Sequence, residues 1–393
     1  EILLKPSDLL DPTHPLLSKI FSDSPHLFPQ GEWAGDMWRP LLLDTGMLTS
    51  VTAELYIRCA EHVAERWKVL ESEGESGVES RASLSSTSTS SRCMEQDDVY
   101  DAALSLAQHL NENATELSMD SRGFNDKVRD IPFVPAVSGL PESHQSARVL
   151  TSYSSAIRRD DWVLAWSAAP TLTAGAEPPH FMQGSLRLAS PPPFKVIARH
   201  LAQCGAAMGE SVLSCWPTTL DCPPLQAYSK ILSHVAGCWG DLSAEERALM
   251  DDVALIPVAN CTRLVPPSSV FLRLGTSATL HPFAYELPSG LVQHSELLRT
   301  LGMQDSPDPA FLLDKVAAAA NQSAGGEGQL GGGAPLNPNE CRAVLAVLEL
   351  ANTHMDKDRV SRMMLVGTDY LEGGVKPKLV PDSEGRLRVT GEC

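Results

Sequence analysis

Histidine and cysteine side chains near the middle of the sequence are the first candidates for chemistry, because both are common zinc ligands. His234 and Cys238 occupy positions i and i+4 of a helix predicted from Leu225 to Trp239, and Cys215 and Cys222 precede it. A zinc site takes about four converging ligands, usually including cysteines about two to four residues apart. The spacing here is different. We interpret these residues as buried thiols and an ordinary histidine, and we predict no metal site.

Two pairs of adjacent carboxylates are the other candidates. Asp160-Asp161 and Asp251-Asp252 could share a proton in acid–base chemistry, but neighbouring residues on a strand point to opposite faces, and neither pair has a histidine close by. Solvated loop charges are the better interpretation. The sequence also contains no nucleophile elbow, no Walker loop and no dinucleotide-binding glycine motif. We therefore predict no catalytic and no cofactor-binding residues.

Aromatic residues near the beginning of the sequence could form a cage for a ligand. Trp33 and Trp38 lie close to Phe21 and Phe28 in the sequence. Large aromatic side chains stabilise proteins mainly through burial. We therefore interpret the two tryptophans as anchors that hold this loop on the hydrophobic core.

Composition and charge restrict the class of protein. Of the 393 residues, 43% are hydrophobic, which is enough for a real core. The chain has 31 basic against 49 acidic residues, and the net charge of -18 argues against a nucleic-acid or membrane partner. No apolar stretch approaches the roughly 18–20 residues of a membrane span. The nine irregularly spaced cysteines favour reduced thiols, and therefore a cytoplasmic protein, with the nucleus as an alternative.

Helix signals are strong along most of the chain. Apolar residues recur every four positions after Leu48, and Ser243-Ala244-Glu245-Glu246 is a capping-box sequence. Asn337-Pro338-Asn339-Glu340 caps a helix in the same way, with Pro338 in its first turn. We predict helices over Leu48–Leu70, Val99–Leu110, Pro193–Met208, Leu225–Trp239, Asp308–Ala320 and Cys341–Thr353.

Strand signals recur in one form, a short apolar run that contains proline. Ile131–Pro135 is the first example, and Trp162–Trp166 is a further candidate for a buried strand. Leu255–Val258 and Leu379–Pro381 are each followed by a turn and by a return strand that begins Arg-Leu. Proline cannot donate a ladder hydrogen bond, so we predict edge β-hairpins. The predicted fold class is mixed α+β, with helices packed on small sheets.

Two parts of the chain repeat one another. Leu3–Leu10 aligns with Leu264–Phe271, and Leu41–Met47 aligns with Leu297–Met303. In both copies a helix is predicted to end at the glycine, as a left-handed C-cap requires. Leu379–Arg388 resembles the start of a third copy. We predict an internally repeated module of hairpin, helix and helix, which is typical of one unit repeated in a longer chain.

Two low-complexity segments divide the chain into two or three subdomains. Glu71–Asp98 is rich in serine and glutamate and Asn321–Ala334 in glycine, so we predict both to be flexible. The first residues lie inside an apolar run and the last follow a strand signal, so we expect a fragment of a longer chain. The predicted organisation is a first repeat copy (1–70), a disordered linker (71–98), a central α/β subdomain (99–254), a second repeat copy (255–320), a glycine-rich loop (321–335), and a capped helix with a further hairpin (336–393).

Several of these strings resemble the sacsin family. Leu4–Pro12 with the following Pro15-Leu16-Leu17 is similar to the opening of a sacsin segment, and Leu43–Met47 is similar to its close. The strings that most resemble the family are Leu255–Leu272, Pro282–Pro288, Leu301–Met303 and Leu336–Val344. The resemblance covers nearly the whole chain outside the two low-complexity segments. Plant and algal sacsin-like proteins are the members it resembles most.

The resemblance implies a function. In that family, very large chains repeat a GHKL-type ATPase domain followed by a long α/β region, and this chain resembles the long region. It implies an ATPase domain elsewhere in the full-length chain, no cofactor here, and a chaperone or co-chaperone role in protein quality control. Its partners would be proteins, namely unfolded clients and other chaperones. We expect a non-catalytic scaffold with a client-binding surface. The alternatives are a purely structural interaction module and an enzyme with an unrecognised site.

Overall fold

The computed structural model describes two compact units. One unit comprises Glu1–His200 with Pro217–Asp221, and the other comprises Leu201–Trp216 with Cys222–Cys393. Each combines helices with small sheets, so the predicted α+β fold class is confirmed. No helix in the described part of the chain is long and apolar enough to cross a bilayer. The described residues are 5–76, 87–140, 146–206, 216, 222–258, 263–274, 280–308, 310–316, 338–354, 378–381 and 387–390.

Helices provide most of the regular structure in both units. The first unit contains α1 (Pro15–Ile20), α2 (Arg39–Asp44), α3 (Ala53–Ser76), α4 (Thr87–Asp120), α5 (Phe124–Arg129), α6 (Trp162–Ala165) and α7 (His180–Gln183). Helix α8 (Phe194–Ala206) begins in the first unit and ends in the second. The second unit continues with α9 (Pro224–Cys238), α10 (Ala244–Ala248), α11 (Ser295–Thr300), α12 (310–316) and α13 (Pro338–His354).

The sheets are small. In the first unit β1 (Val134–Ser138) lies between β2 (Ala147–Thr151) and β3 (Thr171–Leu172), and both pairings are antiparallel. In the second unit β6 (Val270–Phe271) pairs in parallel with β7 (Tyr285–Glu286). Two antiparallel hairpins complete the set, β4 (Ile256–Val258) with β5 (Arg263–Val265) and β8 (Lys378–Pro381) with β9 (Leu387–Thr390).

The two predicted proline hairpins, β4–β5 and β8–β9, are confirmed and share a register. The strand predicted at Ile131–Pro135 instead covers Val134–Ser138 and lies in the middle of its sheet, not at an edge. The proline of the first strand lies opposite a leucine of the second in each of the two hairpins, as Pro257 opposite Leu264 and Pro381 opposite Leu387. The hairpin of β1 and β2 repeats this pairing with Pro135 opposite Leu150. Proline has no N–H to donate to the ladder. Because the register is shared, the absent donor lies opposite a leucine in all three hairpins.

A large aromatic cluster holds α3, α4 and β1 together in the first unit. The fully buried Tyr56 donates its hydroxyl to the Leu106 carbonyl oxygen at 3.1 Å, and its ring meets Phe124 and Phe133 edge-on. Tyr100 of α4 donates to the Ala136 carbonyl of β1 at 3.3 Å. The helix pair and the sheet therefore share one core.

Three sequence predictions need correction. The predicted strand Trp162–Trp166 is wrong, because Trp162–Ala165 forms α6, and a short run that is apolar throughout does not distinguish a buried strand from a buried helix turn. The predicted helix from Leu48 begins only at Ala53, because Leu48 pairs with another segment. The predicted linker was too wide, since residues 71–76 extend α3 and 87–98 belong to α4; residues 77–86 and 321–334 lie outside the described residues.

Two cap predictions have different outcomes. The capping box is confirmed, because the Glu246 N–H donates to Ser243 Oγ at 3.2 Å and the Ser243 N–H donates to Glu246 Oε2 at 3.1 Å. Helix α13 begins at Pro338, as its position in the predicted first turn requires. The capping residue Asn337 itself lies outside the described residues.

The two predicted copies at the beginning of the chain and after Leu264 share one local geometry in the described residues, and a copy that the sequence analysis did not predict lies between them. Each copy begins with a tight turn, and the second residue after the turn forms a parallel bridge with a residue further along the chain. The turns and bridges are Pro6–Asp8 with Leu10–Leu48 in copy 1, 153–155 with Ile157–Ala189 in copy 2, and Pro267–Ser269 with Phe271–Gln304 in copy 3.

In every copy a short helix ends at a residue of left-handed conformation, which lies two positions before the second bridge residue. The three residues are Gly46 with φ of 107°, Arg187 with φ of 56° and Gly302 with φ of 103°. The next N–H donates back across the turn, from Met47 to Leu42 (2.8 Å), from Leu188 to Gln183 (3.0 Å) and from Met303 to Leu298 (2.9 Å). This is the Schellman arrangement of a helix C-terminus.

The helix that follows also starts at the same place in each copy. In each copy the helix starts four residues after the second bridge residue. The carbonyl oxygen at that position accepts the first hydrogen bond of the helix. The donors and acceptors are Tyr56 to Thr52 (2.8 Å), Ile197 to Pro193 (3.3 Å) and Leu312 to Asp308 (3.1 Å). Three separate stretches of the chain therefore adopt one backbone path.

Copy 2 escapes detection in the sequence because its landmark residues are replaced. Arg187 stands where the other copies have glycine, and Leu188 stands where they have methionine. The copy lies inside the region predicted as a central subdomain, 99–254. The repeat is therefore denser than the sequence suggests.

The second long helix of each module packs on the next hairpin. Helix α4 contacts β1 in the first unit, and α9 contacts β4 and α13 contacts β8 in the second. A module thus uses the following hairpin to cover one face of its helix pair, as tandem repeats do.

We expect substitution at the left-handed positions to change stability in opposite directions. Gly46→Ala should destabilise the protein by about 1–2 kcal/mol, because a β-carbon disfavours left-handed backbone. The new methyl group would meet Ser7 only at 3.8 Å, so the cost is conformational and not a clash. Arg187→Gly should stabilise the protein by about 0.5–1 kcal/mol, since relief of strain exceeds glycine's extra freedom in the unfolded chain.

Urea denaturation followed by circular dichroism measures both changes. Gly184→Ala is the matched control, because Gly184 has φ of -64° and open space around its missing β-carbon. It should be neutral or slightly stabilising. A Gly46→Ala midpoint equal to that of Gly184→Ala would show that the left-handed residue is not required.

Candidate interaction site

A group of large apolar side chains lies exposed in copy 1. We call Trp33, Met37, Trp38 and Leu41 the Trp33 patch. Trp33 is 51% exposed, Met37 90% and Leu41 49%, while Trp38 is half-buried. The Trp33 and Trp38 ring centroids are 4.4 Å apart with an angle of 48° between the rings. The prediction that both tryptophans anchor this loop on the core is therefore wrong, because Trp33 packs on Trp38 and faces solvent.

Local backbone geometry positions this patch. Gly31, with φ of 57°, starts the 3-10 turn Gly31–Ala34, and the Trp38 N–H donates to the Gly35 carbonyl at 3.0 Å. Helix α2 follows at once and buries Leu42 against the core. Since Leu41 is the neighbour of Leu42 on a helix, its side chain points away from the core.

A spacing in the sequence could have revealed the patch. Trp33, Met37 and Leu41 recur every four residues, which is the spacing of one stripe on a continuous helix. The structure divides this stretch into the turn Gly31–Ala34 and α2, and Leu42 belongs to the buried side of α2. The sequence alone cannot say which of two adjacent apolar stripes is buried. The choice depends on which stripe the rest of the fold covers.

An ion pair between the exposed Arg39 and the buried Asp11 attaches this segment to the module. Asp11, only 3% exposed, follows bridge residue Leu10 and receives a hydrogen bond from Arg39 Nη2 on its Oδ2 atom at 2.8 Å. Thr13 donates its N–H and its hydroxyl to Asp11 Oδ1 at 3.0 and 2.9 Å. Burial raises the pKa of Asp11, but the Arg39 and Thr13 hydrogen bonds outweigh it and hold the pKa below its ordinary value.

Copy 2 carries an ion pair of reversed polarity at the same position. Arg158 follows bridge residue Ile157, and its Nε atom lies 3.6 Å from Glu177 Oε2. Glu177 also accepts the Arg159 N–H at 2.7 Å. In copy 3 the position is taken by Leu272. The backbone of the module is thus independent of the charge that follows the bridge.

Two buried histidines contact serines, an arrangement that sequence reasoning did not find because the partners are far apart in the chain. Ser167 Oγ lies 2.6 Å from His200 Nδ1, and Ser229 Oγ lies 3.0 Å from His294 Nε2. Burial lowers the pKa of His200 to about 3, and burial also lowers the pKa of His294. A base this weak does not activate a serine near pH 7, so the first pair is a neutral structural contact.

Several polar side chains that line a cavity of the first unit form hydrogen bonds within the protein. The cavity measures about 620 Å³ and is lined in part by His14, His109, Asn113 and Asp120. Asn113 marks a kink in α4 and donates to the His109 carbonyl at 3.0 Å, and Asp120 accepts the Ala53 N–H at 2.9 Å. Burial, reinforced by His14, lowers the pKa of His109. These contacts stabilise the start of α3 and the kink.

The sequence candidates for metal binding do not come together. His234 and Cys238 are half-buried on α9, and the Cys238 thiol contacts the Val235 carbonyl at 3.4 Å. Cys222 is buried, and Cys215 lies outside the described residues. In the described ranges, no three histidine, cysteine or acidic side chains converge in a way that would hold a metal.

The carboxylate pairs are engaged in local contacts or exposed. Asp160 contacts Arg158 at 3.3 Å, and Asp161 accepts a hydrogen bond from Ser190 at 2.7 Å in a 3-10 turn. Asp251 and Asp252 are exposed in a turn. In neither pair do the two carboxyl groups lie in a common site that would keep one protonated and the other ionised, as acid–base chemistry requires.

We expect Asp11→Asn to lower the stability of the fold at pH 7 and also to reduce the loss of stability that acid causes. Because the pKa of Asp11 is lower in the folded than in the unfolded protein, its carboxylate stabilises the fold fully above about pH 4. This contribution is lost as the pH falls through the folded pKa. The variant should lose about 1–3 kcal/mol at pH 7 and show a shallower loss of stability below pH 4.

Denaturation midpoints at pH 7 and across pH 2–5 test this expectation, with the pH window spanning roughly the ordinary carboxyl range. Asp97→Asn serves as control, because the pair of Asp97 with Arg148 is exposed on both sides at 63% and 61%. An exposed pair contributes about 0–1 kcal/mol. Equal losses in the two variants would contradict the role assigned to Asp11.

Comparison of the chain with family models, with curated proteins and with solved structures gave no match.

Proposed function

We propose that this chain is a non-catalytic segment of a sacsin-like chaperone or co-chaperone, and that it binds unfolded client proteins or other chaperones in protein quality control. The observation that carries the proposal is the Trp33 patch. Folded proteins seldom expose several large apolar side chains together unless the surface makes a contact. Tryptophan supplies large contact area, and methionine adapts its shape to different partners.

The repeated architecture supports the same function. Each of the three copies displays a variable segment, such as the one that carries the patch, between elements of constant backbone path. The hairpins β4–β5 and β8–β9 pair with no further strand among the described residues. An extended client segment can add to such an edge through main-chain hydrogen bonds.

The location belongs to the same proposal. We propose a cytoplasmic protein, with the nucleus as the alternative. The described cysteines form no disulfide bond, and burial raises the pKa of the Cys59 thiol to about 12. A thiol of this kind is chemically inert and suits a structural role in the core.

We expect Trp33→Ala/Met37→Ala to lose most of the client-holding activity. The two side chains offer the largest exposed apolar area of the patch, and losing their burial on a client removes on the order of 2–4 kcal/mol. Affinity should fall by at least about tenfold. Light scattering of a heat-labile client at an equimolar concentration of the protein measures the loss.

The control is Met119→Ala/Leu249→Ala, which removes exposed apolar side chains (82% and 46% exposed) outside the patch. This variant should protect the client as the unmodified chain does. Protection that is equal in both double variants would assign holding to another surface. No protection by the unmodified chain would favour the purely structural module.

A titration with Mg-ATP tests the non-catalytic part of the proposal. The net charge of -18 repels a polyanion, and the glycine-rich stretch 321–335 lacks the following Lys-Ser/Thr of a phosphate-binding loop. We expect no heat of binding in calorimetry and no phosphate release. Micromolar ATP binding would contradict the proposal that the ATPase domain lies elsewhere in the full-length chain.

A further inference from the structure

We infer that the Trp33 patch selects cationic amphipathic segments, in which lysine or arginine alternates with apolar residues. This inference rests on the proposed function and names the class of client segment that the same surface prefers. Three features of the surface carry it: the charge around the patch, the placement of one carboxylate at a helix end, and the ring faces of the two tryptophans.

Negative charge surrounds the patch. Glu32, Asp36 and Asp44 are all exposed within the segment that forms it. The one basic residue of that segment, Arg39, is held by the buried carboxylate of Asp11. The local surface is therefore acidic as well as apolar, and it complements a partner that carries positive charge beside apolar side chains.

Asp44 stands where a helix disfavours it. It is the last residue of α2, and the carbonyl end of a helix attracts positive charge. The equivalent helix of copy 3 places Arg299 in its last turn and holds it with Asp305 at 2.9 Å. Copy 1 has no basic residue in the last turn of α2. A cationic side chain from a partner would supply the charge that copy 3 supplies from its own sequence.

The tryptophan pair, at the other end of α2, can bind a further cation of the same segment. Trp33 is half exposed, and the two rings meet at an angle of 48°, so they do not cover one another face to face. A lysine ammonium or arginine guanidinium over an indole face is attracted by the ring electrons. Met37 and Leu41 then accept the apolar neighbours of that cation. The site thus requires both the cationic and the apolar residues of the client segment.

Two labelled peptides of identical apolar sequence test the selectivity, one with lysine and one with glutamate at the charged positions. Fluorescence anisotropy with the full chain should show at least about tenfold tighter binding of the lysine peptide at low salt. The difference should shrink as ionic strength rises, because salt screens exposed charges. Equal affinities at low salt would overturn the inference.

Neutralising the surface carboxylates separates this inference from the proposed function. Glu32→Gln/Asp36→Asn/Asp44→Asn should abolish the preference for the lysine peptide while the Trp33→Ala/Met37→Ala variant loses both peptides. The control Glu61→Gln/Asp101→Asn/Glu112→Gln removes as many charges from α3 and α4 and should keep the preference. A preference lost in the control as well would show that net charge, and not this surface, selects the peptide. Binding that survives loss of Trp33 and Met37 would instead refute the patch as the contact surface.

Discussion

The left-handed residue that closes a short helix is the constraint on which each module depends. At Gly46, Arg187 and Gly302 the backbone turns so that the following N–H reaches the carbonyl five residues earlier. The chain then leaves the helix in the direction that lets the next residue pair with a buried bridge residue, such as Leu10 or Phe271. The next helix starts at a constant spacing from this bridge. One backbone conformation therefore sets the direction of two helices and the pairing between them.

Backbone hydrogen bonds hold this path, so the side chains around it are free to differ. The residue after the bridge is a buried aspartate in copy 1, an arginine in copy 2 and a leucine in copy 3. The segment between the two bridge residues differs most. In copy 1 it carries the exposed tryptophans, and in copy 3 it carries β7, which pairs in parallel with β6. Functional variation is therefore concentrated where the module does not need a particular sequence.

Packing of a long helix on the hairpin that follows it stabilises each unit. A pair of helices buries only part of its apolar surface against itself, and here the next hairpin covers another part, as β1 does on α4. The buried hydroxyl groups of Tyr56 and Tyr100 donate to carbonyl groups of α4 and β1, the first between the two helices and the second at the contact with the strand. Leaving those hydroxyls buried without partners would be costly, so the aromatic cluster stabilises the first unit both by packing and by hydrogen bonding.

The sequence by itself determined the features that arise within a few residues. The capping box at Ser243 closes on its own third neighbour, and the two proline hairpins follow from a proline, a turn and a return strand. Glycine followed by methionine identified copies 1 and 3 because glycine adopts left-handed backbone without strain. Only the tertiary structure revealed copy 2, where Arg187 is held in that conformation by the bridge that follows it. Only the tertiary structure decided that Trp162–Ala165 is helical and that Trp33 faces solvent, because burial depends on what the rest of the fold brings against a side chain.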